Sequence, residues 1–366
     1  MSRRLRLFLT TDAVGGVWTY SLELAAALAV SHDVAVILAT LGPSPRSEQR
    51  ERAAAIPGLQ LVDTGLPLDW TADSRTELRD AAAALAALAG RAEADVVQLH
   101  APALACADYP APVVSVMHSC VATWWTAVRG TDLPLDLAWR TELAREGMAG
   151  SDLLVAPSRA FARAVQHSYR LTQPPVAVHN GRSPLPRDPV QQANHAFTAG
   201  RLWDDGKNVA AFDRAAALAG TPFRAAGPAR GPNGAGIELR HAQAAGLLPE
   251  DRLAAELGAR PIFVSTALYE PFGLSVLEAA QAGCALVLSD IPTFRELWED
   301  AAAFVEPTDE QAIAETVDRL AAHPDEREQL GAAARERAGR FTPDTMAGAM
   351  MTRYRGLLGR QRKAAA

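Results

Sequence analysis

The chain has 366 residues, 49% of them hydrophobic and 21% charged, with a formal net charge of −6. That length fits two ordinary domains, and a mildly acidic balance argues against a nucleic-acid binder or a basic membrane patch. Its three cysteines, Cys106, Cys120 and Cys284, are scattered without a CxxC pair, which argues against a structural zinc site and fits a reducing cytoplasm.

The first residues are basic, then apolar over a stretch too short for a signal peptide, and read as a strand over residues 5–10. No apolar run reaches the 18 residues of a transmembrane helix. Thr11-Asp-Ala-Val-Gly-Gly-Val-Trp18 follows, a strand-to-helix loop in which Gly15 and Gly16 permit a tight turn with amides exposed to an anion. It lacks the third glycine of the dinucleotide fingerprint. Further strands are expected over residues 33–39, 60–63, 95–99, 112–117, 152–156 and 176–179. Amphipathic helical segments are expected over 19–30, 75–92, 137–149 and 159–168. Short buried strands alternating with helices predict a parallel α/β sheet. His100 and His118 each end one of these strands. Trp124 and Trp125 follow, suited either to stacking on a sugar face or to filling buried space.

Arg182-Ser-Pro-Leu-Pro-Arg-Asp-Pro189 carries three prolines in eight residues and marks a linker, taken as 182–193. Asn180 and Gly181 before it read as a structural turn. The alternation then restarts with a strand over 195–199, a helix over 207–218 and a strand over 222–226. A glycine-rich loop over 227–236 precedes further strands at 261–264, 285–288 and 303–305. Helices over 309–322, 325–338 and 342–358 close the chain, with Gly339 as a helix stop and Lys363 in a frayed end. The expected fold is α/β, with two doubly wound Rossmann-like domains, 1–181 and 194–340, and a closing helix in 341–366. Ligands of such sheets bind beyond the strand C-termini, so a cleft facing both domains is expected.

Two features point to chemistry. Glu270-Pro-Phe-Gly-Leu-Ser-Val-Leu-Glu278 sets two carboxylates eight positions apart, the first before a helix that Gly273 opens and the second within it. A helix mouth suits a phosphate and carboxylates suit sugar hydroxyls, so the pair suggests a nucleotide-sugar site. The chain also has only two lysines among 36 basic residues, Lys207 and Lys363. A single lysine in an otherwise arginine-only body suggests a place where a compact ammonium matters.

These motifs resemble the retaining glycosyltransferases of family 4, which have the GT-B fold. The resemblance covers nearly the whole chain. Glu270-x7-Glu278 is followed by Gly283, Ser289-Asp290 and Arg295-Glu296. Gly200-Arg201-Leu through Gly206-Lys207-Asn208 also fits, as do Asp152-Leu-Leu-Val-Ala-Pro-Ser158, Val178-His-Asn-Gly181 and the segment from Phe341-Thr to Tyr354. The family implies that Glu270 orients the donor sugar, that Glu278 holds the ribose hydroxyls and that Arg201 and Lys207 take the diphosphate. It further implies that amides of Phe272, Gly273, Leu274 and Ser275 meet sugar and diphosphate, that Gly15 and Gly16 border the donor, and that His118 touches the donor sugar. Its closing helix crosses back onto the first domain. The acceptor side would fall to the first domain, with Trp124 and Trp125 as candidates. Ser119-Cys120 departs from the acidic residue that many relatives carry after this histidine.

The implied reaction moves a sugar from a nucleotide-diphosphate donor, UDP- or GDP-linked, to a hydroxyl acceptor (a glycan, a lipid-linked or a small molecule). It would proceed with retention by front-face attack, without cofactor or metal, and the absence of an Asp-x-Asp triplet agrees with metal independence. A nucleotide-sugar epimerase or a non-catalytic nucleotide-sugar binder are the alternatives. A pyridoxal-dependent phosphorylase lacks a suitable lysine, and a dehydrogenase lacks the glycine fingerprint. Residues 44–55 mix Arg46, Arg50 and Arg52 with Glu48 and Glu51, so membrane contact is peripheral at most. The expectation is a cytoplasmic enzyme of bacterial glycoconjugate synthesis.

Overall fold

The computed structural model describes residues 4–186, 190–231 and 234–365. Two compact units result, one comprising 1–126, 131–182 and 342–366, the other 127–130 and 183–341.

In the first unit β1 (Leu5–Asp12), α1 (Gly16–His32), β2 (Val34–Leu41), α2 (Ser47–Ala54), β3 (Leu59–Asp63) and α3 (Arg75–Arg91) form the first half-winding. The second half-winding is β4 (Val96–Leu99), β5 (Val113–Val116), α4 (Val121–Arg129), α5 (Ala138–Gly150), β6 (Leu153–Ala156), α6 (Arg159–Tyr169) and β7 (Val176–Ala177). All seven strands are parallel, in the order β3-β2-β1-β4-β5-β6-β7. Every residue of β4 and β5 is buried, as a sheet covered on both faces demands.

The second unit runs through β8 (Ala196–Ala199), α7 (Val209–Ala216), β9 (Phe223–Ala226), β10 (Gln243–Gly246), α8 (Glu250–Gly258) and β11 (Ile262–Ser265). It continues with α9 (Leu274–Ala282), β12 (Leu286–Ser289), α10 (Pro292–Trp298), β13 (Ala303–Val305), α11 (Glu310–Ala322) and α12 (Pro324–Ala338). Its six parallel strands are ordered β10-β9-β8-β11-β12-β13. The final helix, α13 (Pro343–Ala365), rejoins the first unit and packs on α1. There Met346, Met350 and Tyr354 enter the same buried cluster as Leu24, Leu28 and Val36. Gly181 admits this helix: a Cβ there would come within 2.2 Å of the Thr342 carbonyl oxygen.

The expected strands lie within two residues of the observed ones. The helix expected over 207–218 starts instead at Val209, because Asn208 takes a left-handed conformation (φ 50°) and ends a 3-10 turn over Asp205–Lys207. β10 was not foreseen: it is an edge strand, mostly exposed, with no apolar pattern to announce it. The Asp213 carboxylate of α7 accepts the amides of Arg240, His241 and Ala242 and so pins the chain entering β10. The helix expected to end at residue 358, with a frayed Lys363, continues to Ala365, since Arg360 to Lys363 are good helix formers. Of the expected linker, residues 187–189 lie outside the described residues, as do 232 and 233 of the glycine-rich loop; the rest of 182–193 is irregular. Among the described residues no helix is long and apolar enough to cross a membrane. In the charged segment 44–55, Arg50 is tied to Asp63 of β3 at 2.6 Å.

Candidate active site

In each sheet the strand order reverses beside the first strand, and a doubly wound sheet binds its ligand beyond the strand C-termini at such a point. In the second unit those strands are β8 and β11, and the loops that follow them carry Arg201, Lys207 and Glu270.

Hydrogen bonds stitch the two loops together. Asp204 Oδ1 accepts the Gly206 amide at 2.9 Å, which caps the 3-10 turn, and its Oδ2 accepts from Arg201 at 2.9 Å. The Gly206 carbonyl accepts the amides of Leu268 and Tyr269 at 2.9 and 3.1 Å. The Thr266 hydroxyl donates to the Asn208 carbonyl at 2.9 Å, and Asn208 Nδ2 donates to the Pro307 carbonyl at 2.8 Å. The result seats the Lys207 ammonium directly on Glu270 Oε2, with the carboxylate side chain only 11% exposed. Two residues 63 positions apart in sequence, singled out separately, are therefore partners. Arg201 is less confined: it is 42% exposed, bonded to Asp204, and its guanidinium lies 5.9 Å from the Trp203 ring centroid.

Gly273 opens α9 with φ 95°, a left-handed value that a side chain would strain. A Cβ there would also stand 3.2 Å from Phe294 and 3.4 Å from Glu270, so only glycine keeps the helix mouth open beside the carboxylate. The mouth presents the backbone amides of a helix first turn, at the positive end of the dipole. Leu274 and Ser275 are half-buried at this turn, and Glu278 is half-buried within the same helix. Phe272 contributes differently: it is 3% exposed and its ring meets Phe341 edge-on at 5.6 Å, so its side chain belongs to the core. Asp290 and Arg295 form a doubly bonded surface pair at 2.6 Å with the guanidinium over Phe304, a structural role.

In the first unit the matching strands are β1 and β4. Gly15 and Gly16 follow β1, but the Asp12 carboxylate already accepts the amides of Val14 and Gly15 at 2.8 and 3.1 Å. That reduces what the loop offers an anion, since an oxygen acceptor of the chain itself holds those donors. His100 follows β4 and His118 lies two residues beyond β5. Their ring centroids are 4.7 Å apart, and Tyr20 of α1 stands edge-on to both, at 5.2 and 4.5 Å. Burial pushes the His118 imidazole down to about 3 and holds His100 well below the usual histidine range, with His118 as a smaller second cause for His100. Both rings are uncharged at neutral pH. His118 Nε2 is buried and has no hydrogen-bond partner among the described residues.

Trp124 and Trp125 lie on α4 with ring centroids 6.1 Å apart. Trp125 bonds Thr131 through Nε1 at 3.2 Å and lines a cavity of about 660 Å³ with Arg163, Gln166, His167 and Arg170. Asn180 is 5% exposed, in keeping with a structural turn. Residues not foreseen from sequence are Asp12, Asp204, Tyr20, Gln98 and Tyr354. Only Gln98 left a visible trace, a polar residue in the middle of an apolar strand. Among the described residues no group of three or more His, Cys, Asp or Glu is placed to hold a metal ion.

Two family models match the chain: Glycosyltransferase Family 4 over residues 14–184 and Glycosyl transferases group 1 over residues 238–337. The α-maltose-1-phosphate synthase of Mycolicibacterium smegmatis is 33% identical over 99 residues; the match spans 25% of this chain and about a quarter, 26%, of that enzyme. Among solved structures, the sucrose-phosphate synthase of Thermosynechococcus elongatus superposes with a TM-score of 0.74 at 18% identity, covering 99% of this chain and 100% of that one. Anabaena Alr3699/HepE in complex with UDP and glucose gives 0.70 at 16% identity, covering 97% and 100%. At such identities the superpositions speak for the GT-B fold.

Proposed function

Since the chain belongs to glycosyltransferase family 4 and is a glycosyltransferase of GT-B fold, we propose that it transfers a sugar from a nucleoside-diphosphate donor to a hydroxyl acceptor, with retention and without a metal. The observation that carries this reading is the Lys207–Glu270 pair beside the open mouth of α9. Negative charge grows on the departing diphosphate. A compact ammonium and a helix N-terminus aimed at it favour the transition state over the bound substrate. Lys207 takes that charge, with Arg201 as the second cation. Glu270, held by Lys207, orients sugar hydroxyls, and Glu278 accepts from the ribose diol. Amides of Gly273, Leu274 and Ser275 meet the diphosphate. No carboxylate is assigned as a covalent nucleophile. The acceptor attacks on the face that the diphosphate leaves, and a phosphate oxygen takes the hydroxyl proton. The UDP and glucose named with the Anabaena structure support a uridine donor, and GDP is the alternative base. His118 offers a neutral contact to the donor sugar, and Gly15 and Gly16 border the donor. Trp125, on its cavity with Trp124 beside it, serves a sugar-bearing acceptor.

The test is a thermal-shift comparison of UDP, GDP, ADP, dTDP and NAD on the wild type, Lys207→Ala and Glu278→Ala. Binding at a hundredfold excess over Kd adds about 2.7 kcal/mol of stability. A shift with one diphosphate, lost in both variants, is the expected result; a shift with NAD alone would sink the proposal. Transfer abolished by a chelator would sink its metal-independent part.

A further inference from the structure

A chain of hydrogen bonds runs from the last helix to the histidine pair. The Tyr354 hydroxyl of α13, fully buried, donates to Gln98 Oε1. The nitrogen of the same amide lies 2.9 Å from His100 Nε2 and 3.4 Å from the Tyr20 hydroxyl, to which it donates. With its oxygen engaged by a hydroxyl, the amide has only hydrogens to offer His100. Nε2 of that ring therefore accepts, and the ring proton sits on Nδ1, 3.5 Å from Ser21 Oγ. The His100 amide is fixed as well, donating to Thr10 Oγ1 at 3.0 Å. Tyr20 packs edge-on against both imidazoles, and at the far end the buried Nε2 of His118 lacks a partner among the described residues.

The residues at the base of this chain lie where apolar side chains would pack more simply: Gln98 and Tyr354 are both 0% exposed, inside a sheet and helix core. A satisfied polar network in such a place specifies one arrangement of its members. Both rings are uncharged, so the orphan nitrogen suits a neutral partner. A hydroxyl, which donates and accepts, matches either tautomer of His118.

We propose that Gln98 and Tyr354 are positioning residues: they fix His100 as its Nδ1–H tautomer and thereby hold the Tyr20–His100–His118 stack with His118 Nε2 presented to a substrate hydroxyl. That the hydroxyl belongs to a sugar rests on the glycosyltransferase reading; the tautomer does not.

The experiment is the ¹⁵N imidazole spectrum of the full chain, recorded for the wild type, Gln98→Leu, Tyr354→Phe and Leu28→Ala. The last removes packing from the same core away from the network. The expected wild-type spectrum shows His100 protonated on Nδ1 alone. Gln98→Leu and Tyr354→Phe mix the His100 tautomers and move the His118 signals, while Leu28→Ala leaves both in place. Turnover of UDP-glucose or GDP-mannose, according to the diphosphate that stabilises the wild type, falls on the order of ten- to a hundredfold in Gln98→Leu, with KM for the donor held. Tyr354→Phe keeps the ring and is the variant to read if Gln98→Leu does not fold. A wild-type His100 protonated on Nε2 overturns the proposal. So do His118 signals that stay put in Tyr354→Phe, or that move as far in Leu28→Ala. A wild type that no nucleoside diphosphate stabilises would remove the sugar and leave the tautomer assignment standing.

Discussion

The two units wind their sheets in the same order around the first strand, yet they equip the same position with opposite chemistry. Beyond β8 and β11 the second unit gathers charge: Lys207 on Glu270, Arg201 on Asp204, Glu278 on α9. Around the C-terminal ends of β1, β4 and β5 the first unit gathers neutral groups, two uncharged imidazoles, a phenol and an amide, and it lets Asp12 occupy loop amides that could have met an anion. Topology thus sets where a site is built, while the loop residues decide what it handles. On the proposed function, the second unit brings fixed cations to the diphosphate and the first brings groups that stay uncharged to hydroxyls.

The largest effect that would sharpen this contrast is expected at Lys207. Lys207→Ala should lower turnover about 10²- to 10³-fold, the scale for losing one preorganised charge-stabilising group. Lys207→Arg should restore little, because a planar fork does not replace a point charge on Glu270; full activity in that variant would make the site a generic basic patch. Next comes Glu278→Ala, expected to weaken nucleoside-diphosphate binding by about 1.5–3 kcal/mol, as for hydrogen bonds to a charged group. Calorimetry that finds UDP and GDP binding unchanged would remove the ribose role.

The neutral unit can be broken with acid. An unfolded histidine takes up its proton near pH 6.5, whereas His118 in the fold resists it to about 3. Between those values the unfolded state binds more protons, so stability falls as pH falls, on the order of 1 kcal/mol per pH unit for this ring. His100 acts in the same direction. His118→Gln should flatten the slope of denaturation midpoint against pH between 6 and 4 (about the range set by those two pKa values); an unchanged slope would mean that the ring is solvated. The smallest effect is expected at Asp12→Ala. Loss of the cap on Val14 and Gly15 should cost about 1 kcal/mol in urea unfolding.

The sequence made the fold readable because its strands are buried on both faces and stand out as apolar runs, Val96–Leu99 and Leu286–Ser289 among them. It hid β10, whose exposed Gln243 and Gly246 carry no such signal. Lys207 and Glu270 were legible one at a time, the first by its isolation among arginines and the second by its motif. Their contact was not, since it depends on a left-handed Asn208 and a loop-to-loop bond at Gly206. Gln98 left a trace, but its link to Tyr20 and Tyr354 did not, for a related reason: Tyr354 and Gln98 stand 256 positions apart, and no local pattern links a helix tyrosine to a strand glutamine.

The route of the chain has a consequence for how the protein is made. Apart from a short stretch at 127–130, the second unit is a single run from 183 to 341, and the first is completed only when α13 reaches α1. During synthesis the first sheet therefore emerges early but waits, with the α13-facing side of α1 uncovered, while the second unit is translated and can fold. A chain stopped after Phe341 should show a protease-resistant second unit and a first unit cut within α1, which limited proteolysis would reveal. The first half to be born is the last to be finished.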